Sequence, residues 1–337
     1  MNIGFSLVDL ALGGAQTFLV QLAAGLAARG HRLSYYLFTA RSDPVHAAPA
    51  LLAAMDAAAT RAAAPRALLA CDVLQLDGYH SLRRKLPYLS ALPRCVETYH
   101  SAYSVRRSGP LYAAHRVAIS QAVQAALRPP SQVIYYGVPL PPHPVEGERP
   151  FDVAILGRLH PVKGHLLFLQ ACERLFQARG RLSALIIGGH PQPGPYQAQV
   201  DGEITRLRRA GLHLQFTGDL PAAEVFDWLQ QAQVLLVTSQ SEGFGRMALE
   251  ALACATPVVA NPVGGLLEIV DPGRTGFLAR RDDPASFAGL AGRLLDDPQQ
   301  RRQLGHQGRT LVEQKFSLAA MLAAYERLYQ QIADAHG

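Results

Sequence analysis

The sequence predicts an α/β protein with two domains, each built on a doubly wound parallel sheet. Short apolar runs typical of buried strands alternate with alanine- and leucine-rich helical segments along most of the chain. With 337 residues the chain is too long for one ordinary domain and suits two. A proline-rich stretch, PLPPHPVEGERP at residues 139–150, interrupts the alternation, which then restarts. We therefore predict an N-terminal domain at 1–138, a linker at 139–150, a C-terminal domain at 151–316 and a final helical segment at 317–337.

The first half begins with an apolar run at residues 2–8, after which Gly13 and Gly14 turn the chain into a helix over 16–30. A glycine turn between a strand and a helix exposes backbone amides that can hold an anion. The alanine-rich segment 46–64 predicts another helix. Further strands are predicted at 32–38, 72–76, 94–99, 116–119 and 133–136.

His100 directly follows one of these predicted strands. Because the carboxyl ends of parallel strands face the ligand crevice, we expect His100 at the ligand site, with a structural role as the alternative.

The second half restarts with a strand at 151–159 and a helix at 165–180, and Arg158 and Lys163 lie in the turn between them. Cations at a helix N-terminus oppose the helix dipole, so they need an anionic partner. A diphosphate would supply it, and solvated surface charges are the alternative. The elements that follow are a strand ending at Gly188 and Gly189, a helix ending at 211, a strand at 214–220 and a helix at 221–232.

The most informative stretch spans residues 234–270. An apolar run at 234–238 predicts a buried strand, SQSEGFG a loop, RMALEALAC a helix, and PVVANPV a second apolar run. The backbone at Gly243, Phe244 and Gly245 can approach a phosphate closely. Two carboxylates, Glu242 and Glu250, frame this turn and are suited to accept hydrogen bonds from hydroxyls. The pattern indicates a ligand that carries both phosphates and sugars.

Two further side chains in this stretch have open interpretations. Arg246 begins the helix and either contacts a phosphate or is exposed to solvent. Glu268 is expected to cap the helix that follows Gly264 and Gly265 rather than to touch a ligand. Beyond them we predict a short strand at 276–278 and helices to the end of the chain. The last helix repeats apolar residues every three or four positions, so it must bury one face.

The composition excludes several classes of protein. No apolar run reaches the roughly 18 residues of a membrane span, and the N-terminus lacks the features of a signal peptide, so we expect a cytoplasmic protein. The four cysteines are far apart, and no D-x-D or H-x-x-x-H pair is present, so we expect neither disulfide nor metal site.

The net charge of +6 lies entirely in the first 150 residues, which hold 14 Lys+Arg and 8 Asp+Glu. Basic residues are not interleaved with stacking aromatics, so no nucleic-acid partner is expected. The clusters Arg83-Arg84-Lys85 and Arg106-Arg107 indicate an anionic membrane surface or an acidic acceptor, with an ordinary solvated surface as the alternative.

The motifs together resemble the retaining glycosyltransferases of family four, which have the GT-B fold of two Rossmann-like domains facing across a cleft. The matching residues are Glu242-x7-Glu250, Gly264-Gly265-x-x-Glu268, Gly157-Arg158-Leu159 and Lys163-Gly164. One departure is visible. Many members continue Gly-Gly-x-Glu-Arg after the first strand, whereas Gln16 and Thr17 stand here, which puts in doubt the acceptor contact usually assigned to that acidic or basic residue.

The resemblance implies roles for individual residues. Arg158 and Lys163 would neutralise the phosphates of the leaving nucleotide, Glu250 would bind the ribose hydroxyls and Glu242 those of the sugar. His100 would contact the donor sugar. Gly13 and Gly14 would lie beside the acceptor and the donor phosphates, and the last helix would cross back to the first domain.

The implied function is a metal-independent, retaining hexosyltransferase that moves a sugar from a UDP- or GDP-linked donor to a hydroxyl acceptor. The expected acceptor is a glycan or a lipid-linked glycan of the bacterial cell surface, such as lipopolysaccharide or exopolysaccharide, made at the inner face of the cytoplasmic membrane. No cofactor is expected. The alternatives are a GT-B-shaped sugar-nucleotide epimerase, a non-catalytic nucleotide-sugar-binding scaffold and a dehydrogenase. The last is disfavoured because residues 11–16 read ALGGAQ and contain no G-x-G-x-x-G.

Overall fold

The computed structural model describes residues 1–10, 13–39, 48–77, 82–101, 113–127, 130–142, 147–189, 194–221 and 224–336. The chain divides into two compact units. The first comprises Met1–Gly137 and Leu318–Gly337, and the second comprises Val138–Ser317. The Arg106-Arg107 cluster lies outside the described residues, as does part of the 139–150 stretch.

The first unit is built on a parallel sheet whose described strands follow the order β3-β2-β1-β4-β5-β6-β7. The strands are β1 (Asn2–Leu7), β2 (Arg32–Leu37), β3 (Thr60–Arg61), β4 (Val73–Asp77), β5 (Cys95–Tyr99), β6 (His115–Ala118) and β7 (Gln132–Val133). The helices between them are α1 (Gly14–Ala28), α2 (Pro49–Ala58), α3 (Leu82–Lys85) and α4 (Gln121–Gln124), with 3₁₀ turns at Pro65–Ala70 and Leu86–Arg94. The order reverses at β1, which pairs with β2 on one side and β4 on the other. Loops that leave β1 therefore lie at a switch point of a doubly wound sheet, as predicted.

Two sheet-edge predictions were wrong. The helix predicted over 46–64 ends at Ala58, and Thr60–Arg61 form the short edge strand β3 beside β2. Ala59 is already extended there, so the tertiary pairing of the β-branched Thr60 overrides the helix propensity of the surrounding alanines. The strand predicted at 133–136 is only the two residues of β7.

The C-terminal helix, Leu318–His336, belongs to the first unit, as the fold prediction required. It buries the expected face, including Met321 and Leu328. Its two inward tyrosines enter a buried polar network on the central strands. The Tyr329 hydroxyl donates to Gln75 Oε1 at 2.7 Å, and the Tyr325 hydroxyl lies 3.0 Å from Thr98 Oγ1. These bonds fix the helix on the sheet as well as burying its apolar face.

The basic cluster Arg83-Arg84-Lys85 is not a continuous charged surface. This corrects the prediction that the three residues together face an anionic membrane or an acidic acceptor. Lys85 is fully buried, and its ammonium lies 2.7 Å from the equally buried carboxylate of Glu97 on β5. Arg84 lies over the ring of Phe38. A charge removed from water needs a partner, and Lys85 has one inside the first unit. Within this cluster, only Arg83 is fully exposed.

The second unit contains a six-stranded parallel sheet in the order β10-β9-β8-β11-β12-β13. Its strands are β8 (Phe151–Leu156), β9 (Ser183–Ile187), β10 (His213–Phe216), β11 (Ala232–Val237), β12 (Val258–Ala260) and β13 (Gly276–Leu278). Its described helices are α5 (His165–Arg179), α6 (Pro195–Arg209), α7 (Val225–Leu229), α8 (Arg246–Ala253), α9 (Leu266–Ile269), α10 (Pro284–Asp296) and α11 (Pro298–Lys315). The order reverses at β8, between β9 and β11. The loops that leave β8 and β11 are therefore neighbours at the carboxyl edge of the sheet.

The described end of the 139–150 stretch is part of the second unit. The Arg149 guanidinium donates hydrogen bonds to the carbonyls of Ala232 and Cys254, each at 2.9 Å. Burial lowers the pKa of Arg149. This side chain ties the start of β8 to the start of β11 and the end of α8.

None of the helices in the described ranges has both the length and the apolar character needed to cross a membrane.

Candidate active site

The first site loop leaves β8 and reaches α5 through a 3₁₀ turn at Pro161–Lys163. Gly164 follows in the left-handed region, with φ of 72°. A Cβ atom at Gly164 would lie 2.2 Å from the carbonyl oxygen of Thr238, at the end of β11. The Thr238 hydroxyl in turn donates to the carbonyl of Gly164 at 2.9 Å. Only glycine permits this approach, which brings Lys163 against the second site loop.

The second site loop leaves β11 and contains Glu242. Its carboxylate lies 2.6 Å from the Lys163 ammonium, and both side chains are partly accessible, with exposed fractions of 10% and 20%. The structure therefore unites two of the predicted catalytic residues, which are 79 positions apart in the sequence. An ion pair that still reaches water can exchange its partner for an anionic or hydroxyl-bearing ligand.

The Gly264-Gly265 turn supports the EGFG loop from behind. A Cβ atom at Gly264, where φ is 53°, would lie 1.7 Å from the Glu242 carbonyl oxygen. A Cβ atom at Gly265 would lie 2.5 Å from Cα of Phe244. The two glycines are thus required by close backbone packing, which sets the position of Glu242. Phe244 itself is buried edge-on against Phe316. Glu268 lies in the first turn of α9, and the N-cap of that helix is Gly265.

Glu250 lies in the second turn of α8 and is almost entirely buried, with 5% of its side chain exposed. The Arg246 guanidinium lies 2.7 Å from its Oε1, one turn earlier on the same helix. Burial raises the pKa of Glu250, and the positive charges of Arg246 and Lys163 oppose that rise. Gly245, with φ of 106°, precedes the helix and lets α8 start directly after the loop.

Arg158 is exposed in the turn after β8. Its neighbour Leu159 is buried and donates its amide to the Gly189 carbonyl at 3.0 Å, which anchors the Gly157-Arg158-Leu159 segment on the loop that leaves β9. The second unit therefore presents the guanidinium of Arg158 to solvent from a fixed backbone.

Asn261 is a buried residue of this site that the sequence analysis did not single out. Its amide nitrogen donates to the carbonyls of Thr238 and Ser239, at 3.2 and 3.1 Å. It also donates to the Asp282 carboxylate at 2.9 Å, and the Asp282 amide donates back to its Oδ1. Asn261 therefore holds the start of the Glu242 loop in place. The one sequence feature that could have indicated Asn261 is its polar amide side chain inside the apolar run PVVANPV.

In the first unit, Gly13 precedes α1 and its carbonyl accepts a hydrogen bond from the Thr17 amide. The Gln16 side chain, which replaces the acidic residue of the family pattern, donates to Asp9 Oδ1 at 2.8 Å. Asp9 is a second residue that the sequence analysis missed, and it places a carboxylate at the loop after β1. Gly14 begins α1, with Gly13 as its N-cap.

His100 lies at the end of β5, where the sequence predicts it. Its ring packs edge-on against Phe18 at 4.9 Å between centroids. Burial lowers the pKa of His100 to about 3. Within the described residues its Nε2 has no hydrogen-bond partner. The ring is therefore neutral near pH 7 and retains a polar atom with unused hydrogen-bonding capacity.

Comparison with known proteins decides the family. The family model described as "Glycosyl transferases group 1" matches residues 141–311, which is half of the chain. The chain belongs to this family. D-inositol 3-phosphate glycosyltransferase of Kribbella flavida is 35% identical over 157 residues, which is 45% of this chain and 37% of that protein. The chain spans about two-fifths of the length of the curated relatives it matches.

Solved structures show the fold. Anabaena HepE in complex with UDP has a TM-score of 0.79 at 20% identity, covering 98% of this chain and 100% of that one. The lipopolysaccharide outer core galactosyltransferase WaaB has a TM-score of 0.70 at 15% identity, covering 98% and 100%. HepE has also been solved with UDP-glucose. The predicted GT-B fold of the glycosyl transferases is confirmed.

Proposed function

We propose that the chain is a retaining, metal-independent hexosyltransferase that moves a sugar from a UDP-linked donor to a hydroxyl acceptor. The observation that carries this proposal is the meeting of Lys163, Glu242 and Glu250 at the switch point of the second unit's sheet. Ligands of open α/β sheets bind at such a point. The ammonium suits a diphosphate, and the two carboxylates suit the hydroxyls of a sugar and a ribose.

The chemistry follows from where charge develops. Cleavage of the bond between the anomeric carbon and the diphosphate leaves negative charge on the phosphate oxygens and positive charge on the sugar ring. Arg158, Lys163 and the backbone amides of 243–245 would stabilise the leaving diphosphate, which is usually the largest contribution to catalysis of this kind. These cations and amides supply the charge that a metal ion supplies elsewhere, which supports a metal-independent reaction.

The roles of the other residues follow from their surroundings. Glu242 would hold the sugar hydroxyls near Lys163, and the neutral His100 would donate or accept one hydrogen bond to the sugar. A phosphate oxygen of the donor would take the acceptor's proton on the same face that the leaving group occupies. That front-face course retains the anomeric configuration without requiring a side-chain nucleophile.

The choice of donor and pathway rests on the relatives. HepE was solved with UDP and with UDP-glucose, and WaaB is a lipopolysaccharide galactosyltransferase. These names support a UDP-hexose donor and an acceptor among the glycans or lipid-linked glycans of the bacterial cell surface.

An anionic membrane surface would present such an acceptor. The support for it is a small amphipathic surface on the first unit, in which Leu86 and Leu89 are half exposed beside the exposed Arg83. Apolar and basic side chains together favour the interface of an anionic bilayer. Sedimentation with vesicles containing anionic lipid tests this docking. We expect binding at low salt that is lost in Leu86→Ser/Leu89→Ser, whereas wild-type protein that stays in the supernatant would exclude it.

Donor turnover tests the catalytic proposal. Purified protein is incubated with UDP-glucose, UDP-galactose, UDP-N-acetylglucosamine or GDP-mannose and an extract of bacterial lipid-linked glycans, and nucleotide release and the anomeric proton of the product are followed. We expect UDP release with one UDP-sugar, a retained anomeric configuration, and a rate at least about 100-fold lower in Lys163→Ala. A sugar epimerised without transfer would establish the epimerase instead. No turnover of any donor, with nucleotide still bound, would favour the scaffold.

A further inference from the structure

Arg246 forms an ion pair with Glu250. The two residues lie four positions apart on α8, with the guanidinium Nη2 2.7 Å from the carboxylate Oε1. Glu250 is 5% exposed and Arg246 is 26% exposed. The carboxylate of this ion pair is therefore buried, whereas its guanidinium partly reaches solvent.

A buried carboxylate keeps its charge only if a cation compensates the lost hydration. Burial favours the neutral form of Glu250. The positive charge of Arg246 opposes this most, and that of Lys163 opposes it less. Lys163 is already engaged at 2.6 Å by Glu242 and would be drawn further away by a bound diphosphate. Arg246 is then the cation that remains with Glu250 when the site is occupied.

We infer that Arg246 is a positioning residue for the nucleotide: its guanidinium favours the ionised form of the Glu250 carboxylate and orients it so that it can accept hydrogen bonds from both ribose hydroxyls. The inference rests on the proposed UDP-sugar donor. It differs from a direct contact between Arg246 and a phosphate, because it assigns the effect of Arg246 to the ribose end of the ligand.

The rigid spacing on α8 supports this assignment. Residues four apart on a helix face each other, so Arg246 approaches the carboxylate from one defined side. A guanidinium offers several donors in a plane and can hold Oε1 while Oε2 stays available for a ligand. With the guanidinium beside Oε1, Oε2 is the oxygen that would accept hydrogen bonds from the ribose.

Other ionisable groups near α8 do not replace Arg246. Cys254, one turn further along, is neutral because burial raises its pKa to about 12. Near Cys254 lie Arg149 before β8, Asp227 on α7 and Arg309 on α11. Glu268 on α9 is a carboxylate and cannot compensate another one.

The experiment compares the affinity of UDP with that of 2′,3′-dideoxy-UDP by calorimetry. Both probes carry the same base and diphosphate, so their ratio reports the ribose hydroxyls alone. We expect wild-type protein to prefer UDP by at least about tenfold, since a hydrogen bond to a charged group contributes that much or more. In Arg246→Met this preference should fall to within about threefold, and Arg246→Lys should restore part of it.

A double-mutant cycle and a pH series complete the test. Glu250→Gln should abolish the preference, and Arg246→Met/Glu250→Gln should show no further loss, because both changes remove the same carboxylate function. The preference should rise with pH as Glu250 ionises, and in Arg246→Met this rise should lie at higher pH than in wild-type protein, because the variant lacks the cation that favours the ionised carboxylate. The double variant contains no unpaired buried charge and remains interpretable if Arg246→Met folds poorly.

Two results would overturn the inference. If Arg246→Met weakens both probes equally and keeps the wild-type preference, Arg246 contacts the phosphates directly. If it changes neither affinity, Arg246 is a surface residue. Failure of the wild-type protein to bind UDP at all would instead contradict the proposed donor, and the inference with it, so the two failures are distinguishable.

Discussion

Two lysines of this chain pair with glutamates, and the difference in their surroundings separates a structural pair from a ligand site. Lys85 and Glu97 are both completely buried. Removing either would leave a charge without hydration, which typically destabilises a protein by about 3–5 kcal/mol. Lys163 and Glu242 lie at the same short distance but remain partly accessible. Only this second pair can open for an incoming ligand.

His100 provides a prediction about pH at the residue scale. Its folded-state pKa, about 3, is below the ordinary value of 6.5, so the unfolded chain binds its proton more readily. Stability therefore falls as pH drops through 6.5, by about 2 kcal/mol between pH 7.5 and pH 5 from this residue. We expect His100→Gln to flatten this part of the curve.

The measurement is urea unfolding at a series of pH values, with the exposed His306→Gln as the matched control. The account of His100 is wrong if wild-type protein and His100→Gln lose the same free energy of unfolding between pH 7.5 and pH 5.

At the element scale, the site depends on turns whose backbones touch. The Gly264-Gly265 turn and the turn before α5 each bring main chains closer than a Cβ atom allows, and Gly245 at the start of α8 approaches the Leu266 side chain as closely. Such contacts place Glu242 and Lys163 more rigidly than side-chain packing on a loop would.

Gly264→Ala tests this contact. A Cβ atom there meets the Glu242 carbonyl, so Glu242 must move, and we expect UDP affinity to fall at least about tenfold. Gly273→Ala is the matched control because Gly273 also has positive φ, 81°, but open space around its Cβ position. It should lose only about 1 kcal/mol of stability and keep the wild-type affinity. Equal effects of the two changes on affinity, measured by calorimetry, would show that the close contact does not position Glu242.

Elements also differ in how well the sequence predicts them. The central strands β1, β8 and β11 are mostly apolar and mostly buried, and prediction from the pattern succeeded for them. Prediction failed for the edge strand β3, because its two residues lie in an alanine-rich segment and owe their conformation to pairing with β2. For the site, local spacing was enough to find Glu242, Glu250 and Lys163.

The pairing of these residues could not be read from spacing. The contact between Lys163 and Glu242 depends on the strand order, and Asn261 and Asp9 are single polar residues without a motif. The pairing of Arg246 with Glu250 could have been predicted from the sequence, since residues at i and i+4 of a helix are neighbours.

At the scale of the whole molecule, the chain consists of two doubly wound units with different charges. The second unit matches the family model and contains the residues proposed to bind phosphates and hydroxyls. The first unit contains Gly13, Gly14, Asp9 and His100, and it carries the excess of basic residues. We propose that the second unit binds the donor and that the first unit binds the acceptor. The C-terminal helix adds the last 20 residues of the chain to the first unit through Tyr325 and Tyr329.

The proposed activity depends most directly on the donor site of the second unit. The decisive measurement is calorimetric titration of wild-type protein and Lys163→Met with UDP, in the presence of chelator. We predict binding to wild-type protein and an affinity at least about tenfold weaker in Lys163→Met, because the variant loses the charge that meets the diphosphate. UDP binding of equal strength in both proteins, or no binding of UDP to folded wild-type protein, would contradict the account.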